Sequence, residues 1–171
     1  MRPRSLSVAA AAAALVLIQP GLAVAADDPS TTVTYTVTSG ALTLSVPASA
    51  ALGSGAPGTT ISAPIGPVTV TDDRALLSAS WTVTAAETDF TSGGSTIPAT
   101  SADYDPGSIT TTGTITATGT PVTLSNSGQT VVTGSAGVGD NTATWNPTVA
   151  VRVPAGAVGG AYSGTLTQSV A

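Results

Sequence analysis

Leu77-Ser78-Ala79-Ser80-Trp81-Thr82-Val83-Thr84-Ala85 alternates apolar and hydroxyl side chains without a slip. Successive side chains of an extended chain point to opposite faces, so this period of two sets Leu77, Ala79, Trp81, Val83 and Ala85 on one inward face of a long strand, with Trp81 as its core anchor. The same alternation is cleanest at Thr32-Val33-Thr34-Tyr35-Thr36-Val37-Thr38, which places Tyr35 in the core. After a turn at Ser39-Gly40 it continues through Leu42, Leu44 and Val46 until Pro47, which cannot donate to a ladder. These two stretches read as adjacent strands.

Outward from there the pattern repeats in shorter pieces. Residues 47–66 carry Gly53, Gly55, Pro57 and Gly58 and read as a loop, whereas Val68–Thr71 reads as a strand closed by a turn at Asp72-Asp73. Gly93-Gly94, Pro98 and the Asp105-Pro106-Gly107 turn break the middle of the chain. Ile109–Ala117, Val122–Leu124 and Thr130–Thr133 are three more β candidates, followed by a glycine-rich connection over residues 134–139. Ala143–Val153 sets Trp145, Pro147, Val149, Val151 and Val153 on one side, with a bulge or edge position at Asn146-Pro147. A last strand carries Tyr162, Gly164, Leu166, Gln168 and Val170 on one face. No stretch after the N-terminal segment has a helical period. The expectation is an all-β chain, a β-sandwich or partly closed barrel of roughly eight to ten short strands.

Residues 1–26 have the form of a secretory signal: Arg2 and Arg4, an apolar run from Val8 to Ile18, and the small-residue site Ala23-Val24-Ala25. The run is about half a bilayer-spanning helix, so cleavage is expected, leaving residues 27–171 as one domain with no membrane association. That mature chain has two cations, Arg74 and Arg152, against nine carboxylates, a net charge of −7, with no lysine. Nucleic acid and anionic lipid are excluded as partners, because binding either takes several phosphate-neutralising cations. Cysteine is absent, so packing and strand pairing must supply the stability.

Catalysis is short of reagents. Without His, Cys or Lys, the commonest general base, thiol nucleophiles and nitrogen or sulfur ligands are missing, and no enzyme activity or cofactor is expected. Glu87 and Asp89 would project to one side of a strand, as a pair of glycosidase carboxylates must converge, but nothing in the sequence desolvates either one, and a solvated strand end is the preferred reading. Asp72-Asp73, Asp103-Tyr104-Asp105 and Asp140-Asn141 carry oxygen ligands suited to calcium; Asp and Asn also initiate turns, and no metal site is assigned. Both tryptophans sit among apolar neighbours, which favours the core. Trp145 is the better candidate to stack on a sugar if one is exposed, since Asp140, Asn141 and Asn146 could bond to sugar hydroxyls.

Two stretches carry a family resemblance. Gly66-Pro67-Val68-Thr69-Val70-Thr71-Asp72-Asp73-Arg74, followed by Trp81-Thr82-Val83 and Asp89-Phe90, resembles the first half of the WxL domain of Gram-positive surfaces. Val153-Pro154-Ala155-Gly156-Ala157-Val158, leading into Tyr162-Ser163-Gly164-Thr165-Leu166-Thr167, is similar to its end, and the chain looks most like the divergent actinobacterial relatives. Trp81-Thr82-Val83 stands for the first Trp-x-Leu motif, with Val83 for Leu; Gln168-Ser169-Val170 stands for the second, without its tryptophan. The resemblance implies an extracellular, wall-associated protein attached non-covalently to peptidoglycan or its polymers, with Trp81, Val83, Tyr162 and Leu166 as core motif positions. Cell-wall glycan or another surface protein is the expected partner. The alternative is a subunit of a pilus-like or surface assembly formed by strand-edge pairing.

Overall fold

A computed structural model describes residues 31–171, so the expected signal segment, residues 1–26, lies outside the described residues. Of the first compact unit, Met1–Tyr35, only Thr31–Tyr35 is described, exposed and in no strand. The second, Thr36–Ala171, contains every strand among the described residues. Those strands are β1 (Leu42–Ser45), β2 (Thr60–Pro64), β3 (Val68–Asp72), β4 (Ala79–Glu87), β5 (Phe90–Ser92), β6 (Ser95–Ile97), β7 (Ala102–Asp105), β8 (Ile109–Gly119), β9 (Val122–Thr123), β10 (Gln129–Trp145), β11 (Thr148–Arg152) and β12 (Leu166–Val170). One 3-10 turn, Ala99–Ser101, precedes β7.

The largest sheet runs β1-β3-β10-β4-β12, with β8 also paired to β10, and curls into a nearly closed barrel. β10 organises it. Its Gln129–Gly137 part pairs with β4 and its Asn141–Trp145 part with β3, while β8 follows it from Trp145 back to Val132. Register shifts between Ser135 and Thr142 bend this ribbon, which lets one strand serve two halves of the barrel. Gly113 sits at the bend with φ +72, and a Cβ there would meet the Asp140 carbonyl, so glycine is required.

A second sheet, β2-β11-β7-β9, shares the core of the first, and β5-β6 is a separate hairpin. The chain passes from the first sheet to the second at Asn146-Pro147, where proline ends the β10 ladder and β11 begins one residue later. Alternation survives the crossing: Trp145, Pro147, Val149 and Val151 are all buried. The core joins Val68 and Val70 to Trp81 and Val83 from one sheet, and Tyr104 and Val149 from the other.

The all-β expectation holds, and several boundaries differ from those the sequence suggested. Thr32–Thr38 forms no strand, and Tyr35 is 87% exposed. The reason lies in β3: Gly40 N–H donates to the Asp73 carbonyl, and beyond that Arg74 turns back onto Asp72, so the partner that would extend β1 toward its N-terminus is gone. Leu77 is 82% exposed because Ala75, at φ +53, turns the chain and pairing with β10 starts only at Ala79. Residues 47–66 contain β2, whose closing Pro64 needs no donor at the strand end. The glycine-rich 134–139 stretch lies inside β10: Gly134 is buried against the Trp81 ring, where a Cβ would overlap it. The last strand begins at Leu166, leaving 158–165 irregular apart from a bridge of Ser163 to Thr91.

Candidate ligand cleft

The inward phase of β4 runs Ala79, Trp81, Val83, Ala85 and ends on Glu87. The next residues turn into β5, so the carboxyl stays where the sheet leaves a cleft of about 780 Å³. Ile61 of β2, Val149 and Val151 of β11, and Leu166 and Gln168 of β12 form its walls with Phe90, and loop residues 46–55 and 157–165 roof it. Alternation explains this lining: the residues facing the cleft are the inward ones of strands whose outward threonines and serines meet water.

Glu87 is 5% exposed, and its Oε1 has no hydrogen-bond partner. Burial raises its pKa to about 7, against a smaller lowering by the Thr88 backbone N–H. Room for the carboxyl comes from Gly164, since a Cβ there would lie 2.5 Å from Oε1. Beside it Gln168 is held by a buried relay: Trp145 Nε1–H donates to the Tyr104 hydroxyl over 2.9 Å, and that hydroxyl donates to Gln168 Oε1 over 3.0 Å. Burial pushes the Tyr104 phenol up to about 12, the Trp145 bond opposing it, so the relay stays neutral through the physiological range. Tyr162 donates to the Val158 carbonyl over 3.0 Å and so pins the 157–165 loop.

The sequence-derived sugar site does not assemble. Trp145 is 2% exposed, spent on the core and on Tyr104, and a ring in that place cannot stack on a sugar. Asn141 is buried with Nδ2 donating to Gly139, Asp140 is exposed, and Asn146 accepts from Gly66 N–H. Trp81 and Val83 are in the core as expected and Leu166 packs against it, but Tyr162 stands half-buried in the cleft wall, because the strand that would have carried it inward starts only at Leu166.

Glu87 and Asp89 do not converge. β4 ends between them, and Asp89 accepts instead from Ala99 N–H. The expectation that nothing desolvates Glu87 is corrected by the cleft walls, which come from strands distant in sequence. Its signal was visible in one respect, an acid in phase with Ala79–Ala85; Gln168 between Leu166 and Val170 is a second polar residue on an apolar phase.

The acidic clusters have structural partners. Arg74 binds both oxygens of buried Asp72 at 2.8 Å and, against burial, holds that carboxyl below the usual range. Burial pushes Asp103 up, but Thr123 and Arg152 together hold it low, and Asp105 caps Gly107 N–H. No helix among the described residues is long and apolar enough to cross a membrane.

The fold and cleft define a class: an all-β module with an aliphatic cleft lined by one buried acid, Glu87, among the described residues. No family model, no curated protein and no solved structure matches the chain.

Proposed function

We propose that this chain is an exported, non-catalytic surface protein that holds to the cell wall non-covalently, taking part of the peptidoglycan into the cleft under loops 46–55 and 157–165. The observation that carries this reading is the cleft itself: concave, mostly apolar, and furnished with a few fixed polar groups, the pattern of a binding site. A binding role suits Glu87 better than catalysis, because glycoside hydrolysis takes two convergent carboxylates and, among the described residues, Glu87 is the one carboxylate lining the cleft. Hydroxyl-rich outer faces and a low charge count fit a protein that works among wall polymers.

The test is a pull-down of the mature chain, residues 27–171, on purified Gram-positive sacculi, beside an Ala161→Trp variant that fills the cleft from its exposed rim. Retention of the native chain and loss of the variant support the reading. A native chain left wholly in the supernatant removes it.

A second reading, assembly by strand-edge pairing, has an observation of its own. β8 pairs only with β10 among the described residues and offers its other edge over eleven residues with no charge and no proline. Thr32–Thr38, exposed and outside any strand, has the alternation of an added strand. Size-exclusion chromatography with light scattering decides it, a discrete monomer at high concentration speaking against assembly.

A further inference from the structure

We infer that the cleft is a receptor for a primary amine, with the Glu87 carboxyl as its anchor, and that the part of the wall it takes is an amine-bearing peptide and not the sugar. The inference rests on the cleft reading above.

A buried, unpartnered acceptor on a side chain that lines a cleft costs stability unless something bonds to it. Among the described residues nothing is placed to do so. None of their cations lines the cleft, and their two arginines are committed elsewhere, Arg74 to Asp72 and Arg152 to Asp103. The compensating donor therefore has to arrive with the ligand. An ammonium fits best: it brings the positive charge that an ionised carboxyl in an apolar site lacks, whereas a sugar hydroxyl brings a donor without the charge.

The walls point the same way. Ile61, Val149, Val151 and Leu166 offer methyl and methylene surface suited to small aliphatic side chains and an alkyl stem, and the rings of Phe90 and Tyr162 attract a cation as well as they pack on CH₂ groups. Both tryptophans, the better sugar platforms, are in the core. Wall peptides combine alanine methyls with the side-chain amine of a diamino acid.

Binding an ammonium favours ionised Glu87, so affinity falls as pH drops through its pKa. Few other groups interfere: among the described residues Tyr162 is the one other titratable side chain in the cleft lining, β5 and β12 contribute none, and Asp89 is turned to Ala99.

The experiment compares sacculi that keep free diamino-acid amines with the same sacculi after exhaustive N-acetylation, at pH 8 and pH 5.5, using the mature chain and Glu87→Gln. Gln has the shape of the protonated acid, and a thermal midpoint at pH 5.5 no lower than that of the native chain verifies its fold. We expect binding to native sacculi at pH 8, at least about tenfold weaker after acetylation, at pH 5.5, or with Glu87→Gln, and a pH response absent from the variant. Equal binding to native and acetylated sacculi overturns the amine anchor and leaves wall binding intact, as does full binding by Glu87→Gln. Binding to neither removes the wall reading and this inference together.

Discussion

Glu87 is an acid on a phase that the rest of β4 fills with Ala, Val and Trp, and its pKa, raised from 4.5 to about 7, turns that misfit into a pH dependence of stability. Between those two values the folded chain keeps a proton that the unfolded chain has released, so this group's stabilisation is complete below about pH 4.5 and declines as pH rises to 7. At about 1.4 kcal/mol per unit the change is on the order of 3–4 kcal/mol. Urea unfolding of native chain and Glu87→Gln from pH 4.5 to 8 should show the variant gaining on the native chain by roughly that amount. A gap that does not change with pH refutes the assignment. The Trp145–Tyr104–Gln168 relay gives a second prediction: Tyr104→Phe leaves the buried Trp145 Nε1 without an acceptor and should cost about 1–3 kcal/mol by the same measurement. A loss near zero would mean that the indole finds another acceptor.

β10 shows how an element can be legible in composition and illegible in extent. Glycines at 134, 137 and 139 read as a connection because glycine weakens a strand and often marks a break. Here Gly134 and Gly137 are inside the ladder because Trp81 and Ala79 of β4 occupy the space where their side chains would be. Gly134→Ala should therefore destabilise by about 1–3 kcal/mol through overlap with the Trp81 ring. Ala136 in the same bend has φ +55, a conformation costing an L-residue roughly 1–2 kcal/mol, so Ala136→Gly should be neutral or stabilising by up to about 1 kcal/mol. Thermal unfolding of the two variants tests the pair: one midpoint down, the other level or up. Two midpoints that fall equally would contradict the packing of this bend. Thr32–Thr38 is the converse case, an element legible in pattern that does not form, since alternation provides a face but no partner.

Over the whole molecule, Thr36–Ala171 carries the core and the cleft, while Thr31–Ser39 carries exposed β-prone sequence. Thr36–Ser39 is exposed and in no strand, so a chain starting at Gly40 should unfold at the same midpoint as one starting at Thr36, and a clear drop would show that these residues pack on the barrel. The sequence by itself determined that this chain is all-β, because side-chain period is a property of the extended backbone and is fixed residue by residue. It also determined that Trp81 and Val83 face inward and that histidine, cysteine and lysine chemistry is out of reach. Only the tertiary structure decided which alternating stretches find partners, that Tyr162 is a cleft wall, and that Glu87 is dry. Each of these depends on segments far apart along the chain: the walls around Glu87 come from β2, β11 and β12, and a carboxyl's solvation is set by what is brought beside it, not by its neighbours in sequence.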